Sequence, residues 1–244
     1  MFKKVLSVVA YVSMVYVNYL ANALPINNRD TGAISDSYPN LFAPAGFTFA
    51  IWGVIYMLLG GFLIYQFTGA QKKHEKIIEK INPLFILSCI FNILWIFSWH
   101  YDFIGLSVII MLGLFFTLMK IALLAQSEKF FISTPFSVYF GWISVALIAN
   151  ISIFLVSINW NRFGIADYVW TVIILLIGAT IGILRVLKDR DIAYGLVFVW
   201  AYWGILSKHL SETGFNGNYQ SIITTLVICL VSFILVLGKA ILKL

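Results

Sequence analysis

Apolar residues run along this chain in long unbroken blocks, and polar residues gather in the short intervals between them. The blocks do not alternate in the manner of half-buried strands, so they predict helices and not a β-barrel. At a rise of ~1.5 Å per residue, about 20 apolar residues cross a bilayer core. Eight segments approach that length: Val5–Ala23, Pro44–Gln66, Pro83–Tyr101, Ile104–Leu124, Pro135–Ile158, Tyr168–Val186, Ile192–Lys208 and Gln220–Ile241. The seventh is the shortest. The pattern predicts an all-α, polytopic transmembrane helix bundle of about eight spans.

Composition strengthens this reading. Of 244 residues, 61% are hydrophobic and 11% charged, and mean hydropathy is +0.96. A soluble domain carries about 25% charged residues to coat its surface. Lipid needs no such coat, but it forces every backbone group to bond within the protein. The net charge of +6 would hint at nucleic acid in a soluble chain. Here the cations lie in the polar intervals, where they orient spans, and no nucleic-acid partner is expected.

The distribution of cations gives a topology. With a cytoplasmic N-terminus and alternating spans, the inside holds Lys3, Lys4, Lys72, Lys73, Lys76, Lys80, Lys120, Lys129, Arg185, Lys188, Arg190, Lys239 and Lys243. The outside holds Arg29, Arg162 and Lys208. That bias follows the positive-inside rule and puts both termini in the cytoplasm of a plasma-membrane protein. The first segment has a second reading: Lys3-Lys4, an apolar run and Ala21-Asn22-Ala23 resemble a cleavable signal peptide. The longest outer interval, Leu24 to Ala43, carries turn formers including Pro25, Asn27, Asn28, Gly32 and Pro39. It is either a lid over an outward cavity or a solvated linker. The inner loop Gln71–Lys76 is cationic and suited to anionic headgroups.

Four stretches place aromatic and amide groups at helical spacing. Trp52 and Tyr56 are four apart, with Gly53, Gly60 and Gly61 offering close helix approach. Asn92 lies mid-span with Trp95 on its face. Trp99, His100, Tyr101 and Asp102 at the span end read as an interfacial belt, with His100 and Asp102 as a weak acid–base pair. Trp142, Ala146 and Asn150 share a face with Tyr139 upstream. Trp200, Trp203 and Gly204 lie together in the seventh span, with Lys208 at its end and Trp160 and Trp170 as belt residues. Each stretch is also compatible with ordinary packing. A mid-span amide is costly unless hydrogen-bonded, so Asn92 and Asn150 demand partners. If the second, third and fifth spans converge, Trp52, Tyr56, Asn92, Trp95, Trp142, Ala146 and Asn150 line one ligand-binding hollow. Aromatic faces with amide edges suit a flat apolar ligand.

Classical chemistry is thin. No mid-span Asp, Glu or Arg points to a proton-coupled pump. No phosphate loop, Ser–His–Asp set or dinucleotide fingerprint is present, and no metal site or catalytic residue is expected. Cys89 and Cys229 sit inside apolar runs as small buried hydrophobes.

The residues now on the page resemble a known family. Phe91-Asn92-x-x-Trp95 and Trp142-x-x-x-Ala146-x-x-x-Asn150 are similar to the third- and fifth-helix signatures of the TspO/MBR family, which includes the translocator protein and bacterial tryptophan-rich sensory proteins. Pro44 to Tyr56, with Trp52-x-x-x-Tyr56, resembles its second-helix motif. The resemblance covers about residues 5–158. It implies a TspO-like five-helix core over residues 1–158, with three additional helices over 159–244. It also implies a sensory or regulatory receptor or carrier for porphyrins, other tetrapyrroles or sterols, with Trp52, Asn92, Trp95, Trp142 and Ala146 lining the pocket. Porphyrin or haem would be a ligand and not a resident cofactor, and a homodimer is one assembly the family uses. In some bacterial members, tryptophans matching Trp52 and Trp142 are linked to light-dependent porphyrin breakdown, so a porphyrin-degrading enzyme is one alternative. A membrane scaffold or sensory partner with no small ligand is another. The chain departs from the family pattern in having Ala43-Pro44 and Phe47 where a paired proline and a Trp are usual, and in its three further spans.

Overall fold

The computed structural model describes residues 1–24, 26–128 and 130–242. Pro25, named above as a turn former, and Lys129 and Lys243, counted as inner cations, lie outside the described residues. Those described form nine α-helices and four short 3-10 turns, with no strand. The helices are α1 (Phe2–Ala23), α2 (Thr31–Asp36), α3 (Ile51–Tyr65), α4 (Glu75–His100), α5 (Ile104–Ala125), α6 (Phe130–Ser157), α7 (Asp167–Asp189), α8 (Ile192–Leu210) and α9 (Gln220–Ile241). All eight expected spans are helical. Seven are long and apolar enough to cross a membrane: α1, Gly46–Tyr65, Gln71–His100, α5, α6, α7 and α9. The 19-residue α8 is diluted by its Tyr, Trp, Lys and His residues. The chain is an integral membrane protein, a polytopic helix bundle.

Two expected starts move. The apolar segments expected from sequence begin near Pro83 and Pro135. Both instead lie inside longer helices, α4 and α6. The residues before Pro83, Glu75-Lys76-Ile77-Ile78-Glu79-Lys80-Ile81-Asn82, contain good helix formers and extend α4 upstream by two turns.

The helices form two compact units. The first comprises residues Met1–Ile34 and Ile51–Ile143: α1, α3, α4, α5 and the first half of α6. The second comprises Ser35–Ala50 and Ser144–Leu244: the second half of the α1–α3 linker, the rest of α6, and α7, α8 and α9. This division falls inside α6, whereas the sequence reading divided the chain at residue 158.

In the first unit α4 packs between α1 and α5. Its centre is a trio of rings, Phe62, Phe85 and Phe136, whose centroids are 4.9–5.9 Å apart in edge-to-face arrangements. A Cβ at Gly113 of α5 would lie 2.8 Å from the Phe91 ring of α4, so only glycine admits this approach. The glycines singled out in the sequence behave otherwise: Gly60 meets the Tyr11 hydroxyl, but Gly53 and Gly61 face open space. Close packing at those two positions is therefore corrected. The cationic loop Gln71–Lys76 is also tied down, by His74 to Glu128 at 2.5 Å. Lys4 donates to the Gln66 carbonyl at 3.1 Å.

In the second unit α9 packs on both α7 and α8. Phe198, Tyr202 and Phe233 form its ring cluster. Tyr202 donates to the Leu175 carbonyl at 2.7 Å, and Tyr194 donates to Ser144 at 3.0 Å. Large apolar side chains such as Ile109, Ile234 and Leu235 are exposed, as a lipid-facing surface requires.

Candidate functional site

The site expected from sequence divides between the units. Trp52, Tyr56, Asn92, Trp95 and Trp142 lie in the first; Ala146 and Asn150 lie in the second. The continuous helix α6 keeps Trp142, Ala146 and Asn150 four apart on one face. Ala146 is half-buried and Asn150 buried.

Within the first unit, three helices bring aromatic and amide groups together. From α3, Trp52 stacks on Tyr56 with centroids 5.7 Å apart. The same indole meets two rings of α6 edge-on, Tyr139 at 5.9 Å and Trp142 at 6.4 Å. From α4, Asn92 donates to the Tyr139 hydroxyl at 3.1 Å. Its carbonyl oxygen accepts from Asn18 Nδ2 of α1 at 2.7 Å. Asn18 Nδ2 also donates to the Met14 carbonyl, and the Tyr139 hydroxyl points to Met14 Sδ. The partners that a mid-span Asn92 demands are therefore Asn18 and Tyr139. An unsatisfied buried amide would cost about 1–3 kcal/mol, so this chain holds α1, α4 and α6 in register.

Asn18 was missed in the sequence reading. Its signal is the same as that of Asn92, an amide inside an apolar run. Tyr139 was noted only as a neighbour of Trp142, yet it joins the indole of Trp52 to the amide of Asn92.

Trp95 takes a different position. It is buried, as a pocket or packing residue should be, but it stacks on Trp99 at 5.4 Å toward the end of α4. The belt reading of that end is corrected. Trp99 is buried and donates to the Thr31 carbonyl at 3.2 Å. His100 is fully buried, bonding Thr31 Oγ1 at 3.1 Å and the Ile26 carbonyl at 3.0 Å. Asp102 pairs with Arg29, so no His100–Asp102 couple forms. The physical reason is that residues 26–34 fold onto the end of α4, and their backbone carbonyls take the donors that would otherwise meet water or headgroups.

The second half of the linker is anchored as well, in the second unit. The Trp200 indole donates to the Thr48 carbonyl at 2.9 Å, and Ala45 N–H to the Gly204 carbonyl at 3.0 Å. A Cβ at Gly204 would fall 2.0 Å from Thr48 Oγ1, so the linker requires glycine there. His209 bonds the Leu41 carbonyl at 2.9 Å, and Lys208 pairs with Asp36 at 2.7 Å. A solvated linker is thus ruled out on both sides. Among the described residues no cluster of His, Cys, Asp or Glu has the makings of a metal site.

A family model described as TSPO-like protein matches residues 4–238. The chain belongs to the TSPO-like protein family. The match extends through α7, α8 and α9, beyond the limit at residue 158 that the motifs alone suggested. Membership suggests a membrane receptor or ligand-binding role. No curated protein and no solved structure matches the chain.

Proposed function

We propose that this TSPO-like protein is a membrane receptor or carrier for a flat apolar ligand of the porphyrin class, and that it has a sensory or regulatory role. The observation that carries the reading is the meeting of Trp52 with Tyr139 and Trp142, with Tyr139 held by Asn92. Three tilted aromatic faces offer stacking worth roughly 0.5–1.5 kcal/mol each beyond burial. The amide chain fixes their directions, so a ligand finds the faces already oriented. Along α6, Ala146 and Asn150 continue the helical face that Trp142 begins. The excess of Lys and Arg on one side supports a plasma-membrane location with both termini cytoplasmic. A homodimer in that membrane is part of the proposal.

Titration of the purified chain in detergent with protoporphyrin should quench tryptophan fluorescence saturably. Trp52→Ala and Trp142→Ala should each weaken the affinity by about tenfold, the loss of one stacked ring. Unchanged affinity in both variants overturns the assignment. A second reading, light-dependent porphyrin breakdown, draws support from the edge-on contact of Trp52 and Trp142. It requires loss of porphyrin absorbance under light and oxygen that Trp142→Phe abolishes. Copurification of a stoichiometric protein with no porphyrin response would favour a scaffold instead.

A further inference from the structure

A cavity lies in the second unit, and none of the seven residues considered above lines it. Its volume is about 390 Å³. That is within the ~300–1,000 Å³ range of small-molecule sites. One wall is the end of α6, through Ser152, Leu155 and Val156, with Asn159 in the turn just after it. At ~100° per residue, Ser152, Leu155 and Val156 lie across α6 from Asn150. The facing wall is the first two turns of α7, through Asp167, Trp170, Thr171 and Ile174, again on one helical face. The α6–α7 loop and residues 39–42 complete the rim.

The rim is built rigidly. The Asn40 side chain accepts from Phe42 N–H and donates to the Tyr38 carbonyl, while His209 holds the Leu41 carbonyl. Trp170 Nε1 donates to the Arg162 carbonyl at 2.8 Å, fixing its ring. Trp160 lies beside it, centroids 5.2 Å apart and planes tilted by 55°.

The charges of the lining select a ligand class. Arg162 and Asp167 are its two charged residues, and Arg162 Nε lies 2.9 Å from Asp167 Oδ1. Among the described residues the terminal guanidinium nitrogens of Arg162 have no bond. A singly charged ligand would leave one of the two groups opposed by its own sign. A zwitterion matches both. The tilted indoles of Trp160 and Trp170 offer the electron-rich faces that bind quaternary ammonium. Free guanidinium nitrogens beside them suit a phosphate. Below the polar rim the walls turn apolar, through Leu155, Val156 and Ile174. The cavity lies where α6 ends and α7 begins, and the ends of membrane spans are where headgroups are met.

We propose that this cavity binds a phosphocholine-type zwitterion, with phosphate on Arg162 and ammonium against Trp160, Trp170 and Asp167. The source is a phospholipid headgroup or a soluble phosphocholine; the apolar walls accept the first acyl carbons of a lipid. This site does not depend on the porphyrin reading.

Native mass spectrometry of the full chain in dodecyl maltoside tests it, with dioleoyl-phosphatidylcholine, dioleoyl-phosphatidylglycerol and phosphocholine as probes. The wild-type chain should retain one phosphatidylcholine in preference to phosphatidylglycerol. Trp160→Ala and Arg162→Ala should each lower that retention by about tenfold. Asp167→Lys, at an exposed position that leaves folding intact, should reverse the preference toward phosphatidylglycerol. Trp52→Ala should change nothing here, which separates this site from the porphyrin cluster. Retention of phosphocholine alone at equal strength assigns the site to a soluble zwitterion, and its absence assigns it to lipid. Equal retention of the two lipids, with a ratio that Asp167→Lys does not move, overturns the proposal.

Discussion

The two units of this chain solve the same problem, packing helices in lipid, in different ways. The first stitches its helices with side-chain amides: Asn18, Asn92 and Tyr139 bond one another across α1, α4 and α6. The second uses tyrosine hydroxyls on single acceptors, as Tyr202 does on the Leu175 carbonyl. Both have a cluster of phenyl rings at the centre. In lipid the hydrophobic effect does not drive helices together, so close packing and hydrogen bonds must. A chain of amides fixes the mutual rotation of three helices at once. An isolated hydroxyl–carbonyl bond fixes one pair. The first unit is therefore the better platform for oriented aromatic faces. The second leaves room at one end for a cavity.

Three measurements would break or sharpen this contrast. The largest effect belongs to the ring clusters. Phe136→Ala should cost on the order of 2–4 kcal/mol through lost dispersion contacts and the cavity left behind. Hydrogen exchange should rise in α3, α4 and α5 while α7 and α9 stay protected. Phe233→Ala should give the converse. Equal loosening everywhere would show one cooperative block and not two units.

The middle effect separates a network from a pair. Asn18→Ala and Asn92→Ala should each cost about 1–2 kcal/mol, and the double variant clearly less than the sum. Tyr202→Phe should cost about 1 kcal/mol and add independently to either. Strict additivity of Asn18→Ala and Asn92→Ala would dissolve the idea of an amide chain. The smallest effect lies at the surface. Lys208→Ala removes a pair whose Asp36 partner is mostly exposed, so its cost should be under about 0.5 kcal/mol by thermal unfolding. A larger loss would mean that this pair, more than His209 and Trp200, anchors the linker.

Much of this was legible along the chain. The spans could be counted because a bilayer imposes one length and one polarity on every helix that crosses it. Asn92 could be marked because a buried amide is conspicuous in an apolar run. Trp52, Tyr56 and Trp142 could be marked by spacing. The helices begin upstream of the apolar segments at Pro83 and Pro135 because proline is tolerated both at a first turn and, with compensation, inside a membrane helix. Local chemistry does not distinguish those cases. Trp99 and His100 were misread for a related reason. A Trp-His-Tyr-Asp run at a span end looks like an interface belt, and only the fold of residues 26–34 reveals that the first two are covered.

The amino-acid order alone determined that this protein is a membrane helix bundle, because free energies of transfer are additive along a segment and need no partner. It also determined which side chains could carry recognition. Which of them meet was decided by tertiary packing alone. Asn18 is 74 positions from Asn92, and Trp52 is 90 positions from Trp142. Helical period sets the face a residue occupies on its own helix, but the rotation of one helix against another depends on contacts distributed over both. That rotation brought Trp52 to Tyr139 and Trp142, and in the second unit it set the cavity beside Arg162 between α6 and α7.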